Sequence, residues 1–197
     1  MVSRYSDCEY PDADYRRAPE RGSPVPRRAG VSPQPALLGL LLSEPKHGYE
    51  LYQEFSRELG RVWRLGQSQL YAQLKQLEEA GLVAVRVEEQ PSRPARKVYR
   101  LTPEGHSAFE EWVRQPTPYL RRIRVEFLAR LYFFQHLQMD GLEALVAEQK
   151  AVCREQMERF DRLMADNEEP FARLVLEFRR GQLEAVIRWL DRCLELL

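Results

Sequence analysis

Leu70-Tyr71-Ala72-Gln73-Leu74-Lys75-Gln76-Leu77-Glu78, followed by Gly81-Leu82-Val83, is the stretch in which the chain changes its period. Leu70, Leu74 and Leu77 recur at helical spacing and form one inner stripe. From Val83 onward the pattern alternates instead: Val83, Val85 and Val87 are separated by Ala84 and Arg86, as on a half-buried strand. Gly81 stands at the change, where a helix closes in a left-handed cap. Pro91-Ser92-Arg93-Pro94 reads as a loop, and residues 97–101 return as a second strand. Working upstream, residues 36–42 read as a buried first helix stopped at Ser43-Glu44-Pro45. Residues 48–59 read as a second helix, with Tyr52, Phe55 and Leu59 inward and Gly60 closing it. Three helices followed at once by a hairpin are the pattern of a winged helix-turn-helix. Thr102-Pro103-Glu104 then opens a further helix, with threonine as cap and proline in the first turn.

The remainder of the chain is organised around this unit. Residues 1–34 are proline-punctuated and poor in apolar side chains, the composition of a disordered arm. Their arginines are nearly cancelled by acids, which favours an inert tail over a phosphate-binding arm. Gln115-Pro116-Thr117-Pro118 reads as a joint, dividing a domain at residues 35–115 from a helical one at 119–197. Beyond it lie three long helical patterns, roughly 119–137, 142–165 and 170–197. The middle one carries Leu142, Val146, Gln149, Cys153, Met157, Phe160 and Met164 as a heptad-like seam. The expected architecture is mainly α with a small β-hairpin: an N-terminal winged helix-turn-helix and a C-terminal helical dimerisation domain.

Charge has to be read locally here. The 197 residues carry formal net charge +0 and are 30% charged, which excludes a surface that binds polyanions all over. Yet Arg61, Arg64 and Lys75 lie in a stretch without acids, and so do Arg93, Arg96, Lys97 and Arg100. A neutral chain of this kind can present one basic face. Cys8, Cys153 and Cys193 are far apart, the usage of reduced thiols rather than of disulfides or a metal site. His47, His106 and His136 are equally scattered, so neither metal nor cofactor is expected. Neither a secretory core nor a stretch long enough to span a bilayer is present, and the expectation is a cytoplasmic protein without membrane contact.

The third helix is the element to examine for recognition. Counted at about 100° per residue from Leu70, its outward arc holds Ser68, Ala72, Lys75, Gln76 and Glu79, flanked by Gln69 and Tyr71. Gln67 stands at the helix start as a further candidate contact. Small and amide side chains near a helix start suit the major groove, where glutamine bonds base edges. On its own this arc is equally a solvated helix face. The neighbouring wing decides for DNA: Arg93, Arg96 and Lys97 lie at or beside the hairpin tip, within reach of phosphates or a minor groove. Arg64 is a second-rank phosphate contact.

At these residues a resemblance becomes visible. His47-Gly48-Tyr49-Glu50-Leu51, then Leu70 to Leu82, then Arg96-Lys97-Val98-Tyr99-Arg100-Leu101-Thr102-Pro103-Glu104-Gly105 resemble the winged-helix domain of the PadR family of bacterial transcriptional regulators. Ala72 departs from the pattern, since many members carry proline after the tyrosine. Arg124-Val125-Glu126-Phe127-Leu128 is similar to the opening of the helical domain in the longer members, which resemble phenolic-acid-responsive regulators. The resemblance implies a homodimeric repressor on double-stranded operator DNA, relieved by a small aromatic or amphipathic effector.

The residues give a dimer independently, because reading a palindrome requires two winged helices about a two-fold axis. Phe171, Leu174, Phe178, Val186, Trp189 and Leu190 are the candidates for that interface. Trp112 and Phe127, with Arg121 and Arg124 to pair a carboxylate, are candidates for an effector pocket, weighed against ordinary core packing. No phosphate loop, activated nucleophile or carboxylate pair supports an enzyme. A competing reading is a winged-helix module that docks on another protein, for which the acid-free basic stretches are not required.

Overall fold

The computed structural model describes residues 31–90 and 93–197, and nothing of the side chains at Gln90, Arg93 and Pro94. The expected arm therefore falls almost entirely outside the described residues, as does the centre of the wing loop.

A leucine-rich first helix, α1 (Gln34–Leu40), sits at the centre of the N-terminal half, with Ala36, Leu37, Leu38 and Leu40 buried. It packs on α2 (Gly48–Glu58), α3 (Gln67–Glu79) and α4 (Pro103–Arg114). The inner stripe of α3 is the expected Leu70, Leu74 and Leu77, all fully buried. That of α2 is Leu51 and Phe55, continued by Leu59, so the helix is turned slightly from the expected Tyr52 register. α3 ends as its sequence requires. Gly81 takes φ +71°, a left-handed conformation that costs other residues about 1 kcal/mol or more. In that conformation Leu82 N–H reaches Leu77 O at 3.0 Å and Gly81 N–H reaches Glu78 O at 3.0 Å, a double closure of the helix end.

β2 (Val83–Gln90) and β3 (Arg93–Leu101) form the hairpin, antiparallel with Val85 opposite Tyr99 and Val87 opposite Lys97. β3 begins earlier than its sequence suggested, and its register shifts between Glu88 and Gln90, where Pro94 and Ala95 oppose one residue. Val83 and Tyr99 are buried, but Val87 is exposed because the hairpin has run past the core by that point. The sequence reading missed β1 (Lys46–His47), which pairs with Tyr99 and Val98 and makes a three-stranded sheet of order β1-β3-β2. Two residues between Pro45 and a helix start carry too little periodicity to be read as a strand.

Thr102 caps α4 as expected: its Oγ1 accepts from Gly105 N–H at 3.0 Å and donates to Gly81 O at 2.8 Å. The single helix expected over residues 119–137 is three segments, α5 (Leu120–Arg122), a π-helical turn (Ile123–Phe127) and α6 (Leu128–His136). α6 joins the N-terminal core. Phe133 meets Phe109 of α4 edge-on at 5.1 Å and lies against Trp112 at 6.3 Å.

α7 (Leu142–Ala165) and α8 (Pro170–Leu196) pack along each other. The α7 seam buries Val146, Gln149, Cys153 and Phe160, as the heptad reading expected. α8 turns inward Leu176, Leu183 and Leu190, one heptad apart. That corrects one expectation: Leu190 has 0% of its surface exposed within this chain and has none left to offer a partner.

Candidate nucleic-acid interface

α3 presents its outward arc without obstruction. Gln67, Ser68, Gln69, Tyr71, Ala72, Lys75 and Gln76 are all exposed. The backbone N–H of Gly66, just ahead of the helix, donates to Gln69 Oε1 at 3.1 Å, so the Gln69 carbonyl is spent on holding the helix start. The amide group of Gln34, at the start of α1, donates to Gln76 Oε1 at 2.8 Å. Of the row, Gln67, Ser68 and Ala72 are therefore the least committed to other described residues.

Tyr71 is placed by an unusual contact. A Cβ on Gly48 would lie 2.6 Å from Tyr71 Cε1 and 3.1 Å from its hydroxyl oxygen. Only glycine at the first position of α2 lets the ring lie against that helix end. This accounts for four of the five residues of the His47–Leu51 segment, all but the exposed Tyr49. His47 pairs with β3 and its N–H donates to Glu50 Oε2 at 2.9 Å, closing the start of α2. Gly48 admits Tyr71, and Leu51 is core.

The cations divide into two sets. Lys97 is tied to Glu78 at 3.1 Å and Lys75 to Glu79 at 3.5 Å, both on the surface. Arg64 and Arg96 are exposed and take part in no ion pair among the described residues. Arg93 opens β3, and its side chain lies outside the described residues. The Tyr99 phenol is pushed up from its ordinary value first by burial and then by Glu78, which keeps it neutral in the hairpin core.

The residues expected to line an effector pocket are not brought together. Trp112 packs on Phe109 and Phe133 and lies under the Arg130 guanidinium at 4.9 Å. Phe127, fully buried, packs instead on Trp189 of α8 at 6.1 Å. Arg121 lies over the Tyr119 ring at 5.9 Å, and Arg124 projects to solvent. A solvent-open groove of about 680 Å³ lies elsewhere, between α2 and the sheet, and is lined by charged groups including Lys46, Glu50, Glu54 and Glu88.

The interface candidates on α8 also divide. Phe171, Leu174 and Phe178 are 65%, 60% and 66% exposed, large values for apolar side chains. Val186 and Trp189 are half-buried, and Leu190 is core. No helix among the described residues is long and apolar enough to cross a membrane.

Comparison with known proteins supplies the family. Residues 37–111 match the model of the transcriptional regulator PadR-like family, and residues 123–197 match that of the virulence activator alpha C-terminal domain. The chain is 29% identical over 137 residues to the negative transcriptional regulator PadR of Bacillus subtilis, covering 68% of this chain and 75% of that protein. It is 31% identical over 81 residues to a probable transcriptional regulator of Mycobacterium tuberculosis, covering 41% and 43% of the two chains. The crystal structure of Bacillus subtilis PadR with operator DNA superposes with a TM-score of 0.43 at 26% identity, over 83% of this chain and 97% of that one. With a PadR-like winged helix in its first half and the virulence-activator helical domain in its second, the chain belongs to the PadR family of transcriptional regulators.

Proposed function

We propose that this protein is a homodimeric repressor that binds operator DNA through residues 35–115, dimerises through residues 119–197 and is relieved by a small molecule. The observation that carries the DNA-binding reading is the exposed small and amide face of α3 beside exposed Arg64 and Arg96. Gln67, Ser68, Gln69, Tyr71, Ala72, Lys75 and Gln76 enter the major groove, while Arg93, Arg96 and Lys97 take the adjacent phosphates or minor groove. Lys97 must leave Glu78 to do so. An exposed ion pair is worth at most about 1 kcal/mol, which one charge-assisted phosphate contact offsets.

The support for a dimer is the outer face of α8. Phe171, Leu174 and Phe178 continue into Gly181 and Ala185 at heptad spacing, and all five are exposed. At about 100° per residue this line lies nearly opposite the buried Leu176, Leu183 and Leu190. A helix apolar on two opposite faces has one covered by α7, and a second copy covers the other. Repression is the sense of regulation named for the PadR relative. The effector, small and aromatic or amphipathic, is the sense of the family resemblance, and Trp112, Arg121, Arg124 and Phe127 remain the residues to probe for it.

The test is a titration onto duplex from the region upstream of the protein's own gene, beside a scrambled duplex, over a range of salt. Preference for the upstream duplex is expected, with affinity falling steeply as salt rises. Replacing Arg93, Arg96 and Lys97 together by alanine should lower the salt slope by about 2.7, from roughly 0.9 per phosphate contact, while the dimer persists. An unchanged slope refutes the placing of the wing. No binding of either duplex at low salt favours docking on another protein instead.

A further inference from the structure

The joint between the winged helix and the C-terminal helices is held by a buried polar network that DNA contact does not require. Gln149 of α7 is fully buried, in a seam otherwise apolar. Its Oε1 accepts from Thr117 N–H at 2.6 Å and its Nε2 donates to Thr117 O at 3.0 Å. One side chain thus satisfies both backbone groups of a fully buried joint residue, as a neighbouring strand would. Arg130 of α6, also buried, donates to Trp112 O at the end of α4 at 2.9 Å and to the Thr117 hydroxyl. Gln156, two turns beyond Gln149, donates to Pro118 O, and Arg114 donates to Asp140 O at 2.9 Å. Every segment meeting at the joint is bonded to another.

Apolar side chains fill such a space at lower risk, because a buried polar group left unpaired costs more than a paired one gains. What polar groups supply instead is a unique register, the role of a lone polar residue in a coiled-coil seam. Burial also brings the Arg130 guanidinium down to about 10, still charged at neutral pH, so it remains a donor throughout.

We propose that Gln149 is a positioning residue for operator recognition: by clamping Thr117 it fixes the angle at which the winged helix leaves the C-terminal helices. In the dimer that angle sets the separation of the two α3 helices, and hence the spacing of half-sites they can occupy together. The inference rests on the dimeric reading above.

The test uses the full chain with Cys8→Ser and a nitroxide on Glu79→Cys at the exposed end of α3, Cys153 and Cys193 being buried. Double electron–electron resonance then reads the distance between the two α3 helices of a dimer. The parent should give one narrow distribution, and Gln149→Leu should broaden it about twofold or more while circular dichroism is retained. A residue with a merely structural role lowers the melting temperature and leaves the width unchanged, and that result overturns the proposal. If Gln149→Leu fails to fold, Gln149→Glu takes its place, since it keeps the acceptor for Thr117 N–H and loses the donor to Thr117 O. Absence of any dipolar signal in the parent refutes the dimer itself, and this inference with it.

Discussion

Phe178→Ala separates the two apolar faces of α8 quantitatively. Phe178 is 66% exposed in the single chain. A phenylalanine presents about 200 Å², so about 130 Å² is available for cover by a partner. At about 25 cal/mol per Å² that burial is worth about 3 kcal/mol, of which alanine keeps roughly a third. The loss of about 2 kcal/mol per copy counts twice across a two-fold axis, giving about 4 kcal/mol or close to a thousandfold in dimer Kd. The same change should leave the folded chain almost untouched, within about 0.5 kcal/mol, because the side chain packs on little within it. Sedimentation equilibrium over a wide concentration range reads the first quantity and circular dichroism the second. A dimer Kd shifted by less than about threefold would show that the outer seam is not the interface. A chain that unfolds would show instead that Phe178 belongs to the core.

Gly48→Ala places a methyl 2.6 Å from Tyr71 Cε1, so the ring must swing off α2. We expect operator affinity to fall about tenfold, with thermal stability little changed because alanine is the better helix former by about 1 kcal/mol. Unchanged affinity would remove Tyr71 from the interface. Gly39→Ala directs a Cβ to 2.5 Å from both Phe109 and Phe133, and overpacking should cost about 1–3 kcal/mol in denaturant unfolding. A neutral result would show that α1, α4 and α6 are not packed as one core. Burial, then Glu58 and Glu54, push the Tyr132 phenol up to about 12. The folded state thus favours the neutral phenol, and this stability is complete below about pH 10 and lost as pH rises toward 12. The parent should lose stability relative to Tyr132→Phe across that window, and a difference that stays constant with pH would refute it.

The N-terminal half was legible because each of its signals is local. Leu70, Leu74 and Leu77 are all core, Gly81 is the left-handed cap, and Thr102 caps α4 through the Gly105 N–H. β1 was not legible: two residues have no period, and their pairing is decided by β3, fifty residues away. α8 failed differently. Both of its faces are apolar, and the sequence merged them into one stripe, which put Leu190 at the partner's side. Position around the helix separates what hydrophobicity cannot: Leu176, Leu183 and Leu190 share the buried face, while Leu174, the same side chain, stands outside with Phe171 and Phe178. Gln149 stood in the expected seam all along, and a polar residue at such a position was itself the signal that the joint needed one.

The zero net charge takes its meaning from where the acids stand. Glu78 and Glu79 lie on the last turn of α3 and pair with Lys97 and Lys75, two of the cations proposed to meet DNA. A regulator that bound phosphates with all its cations would gain mainly sequence-independent affinity, which the excess of competing sites in a genome dilutes. Carboxylates beside those lysines lower that term for every sequence alike, and leave discrimination to the α3 side chains proposed to meet base edges. Removing Glu78 and Glu79 should therefore tighten binding to operator and to scrambled duplex by about the same factor, leaving their ratio unchanged. A changed ratio would mean that the acids act on base readout instead.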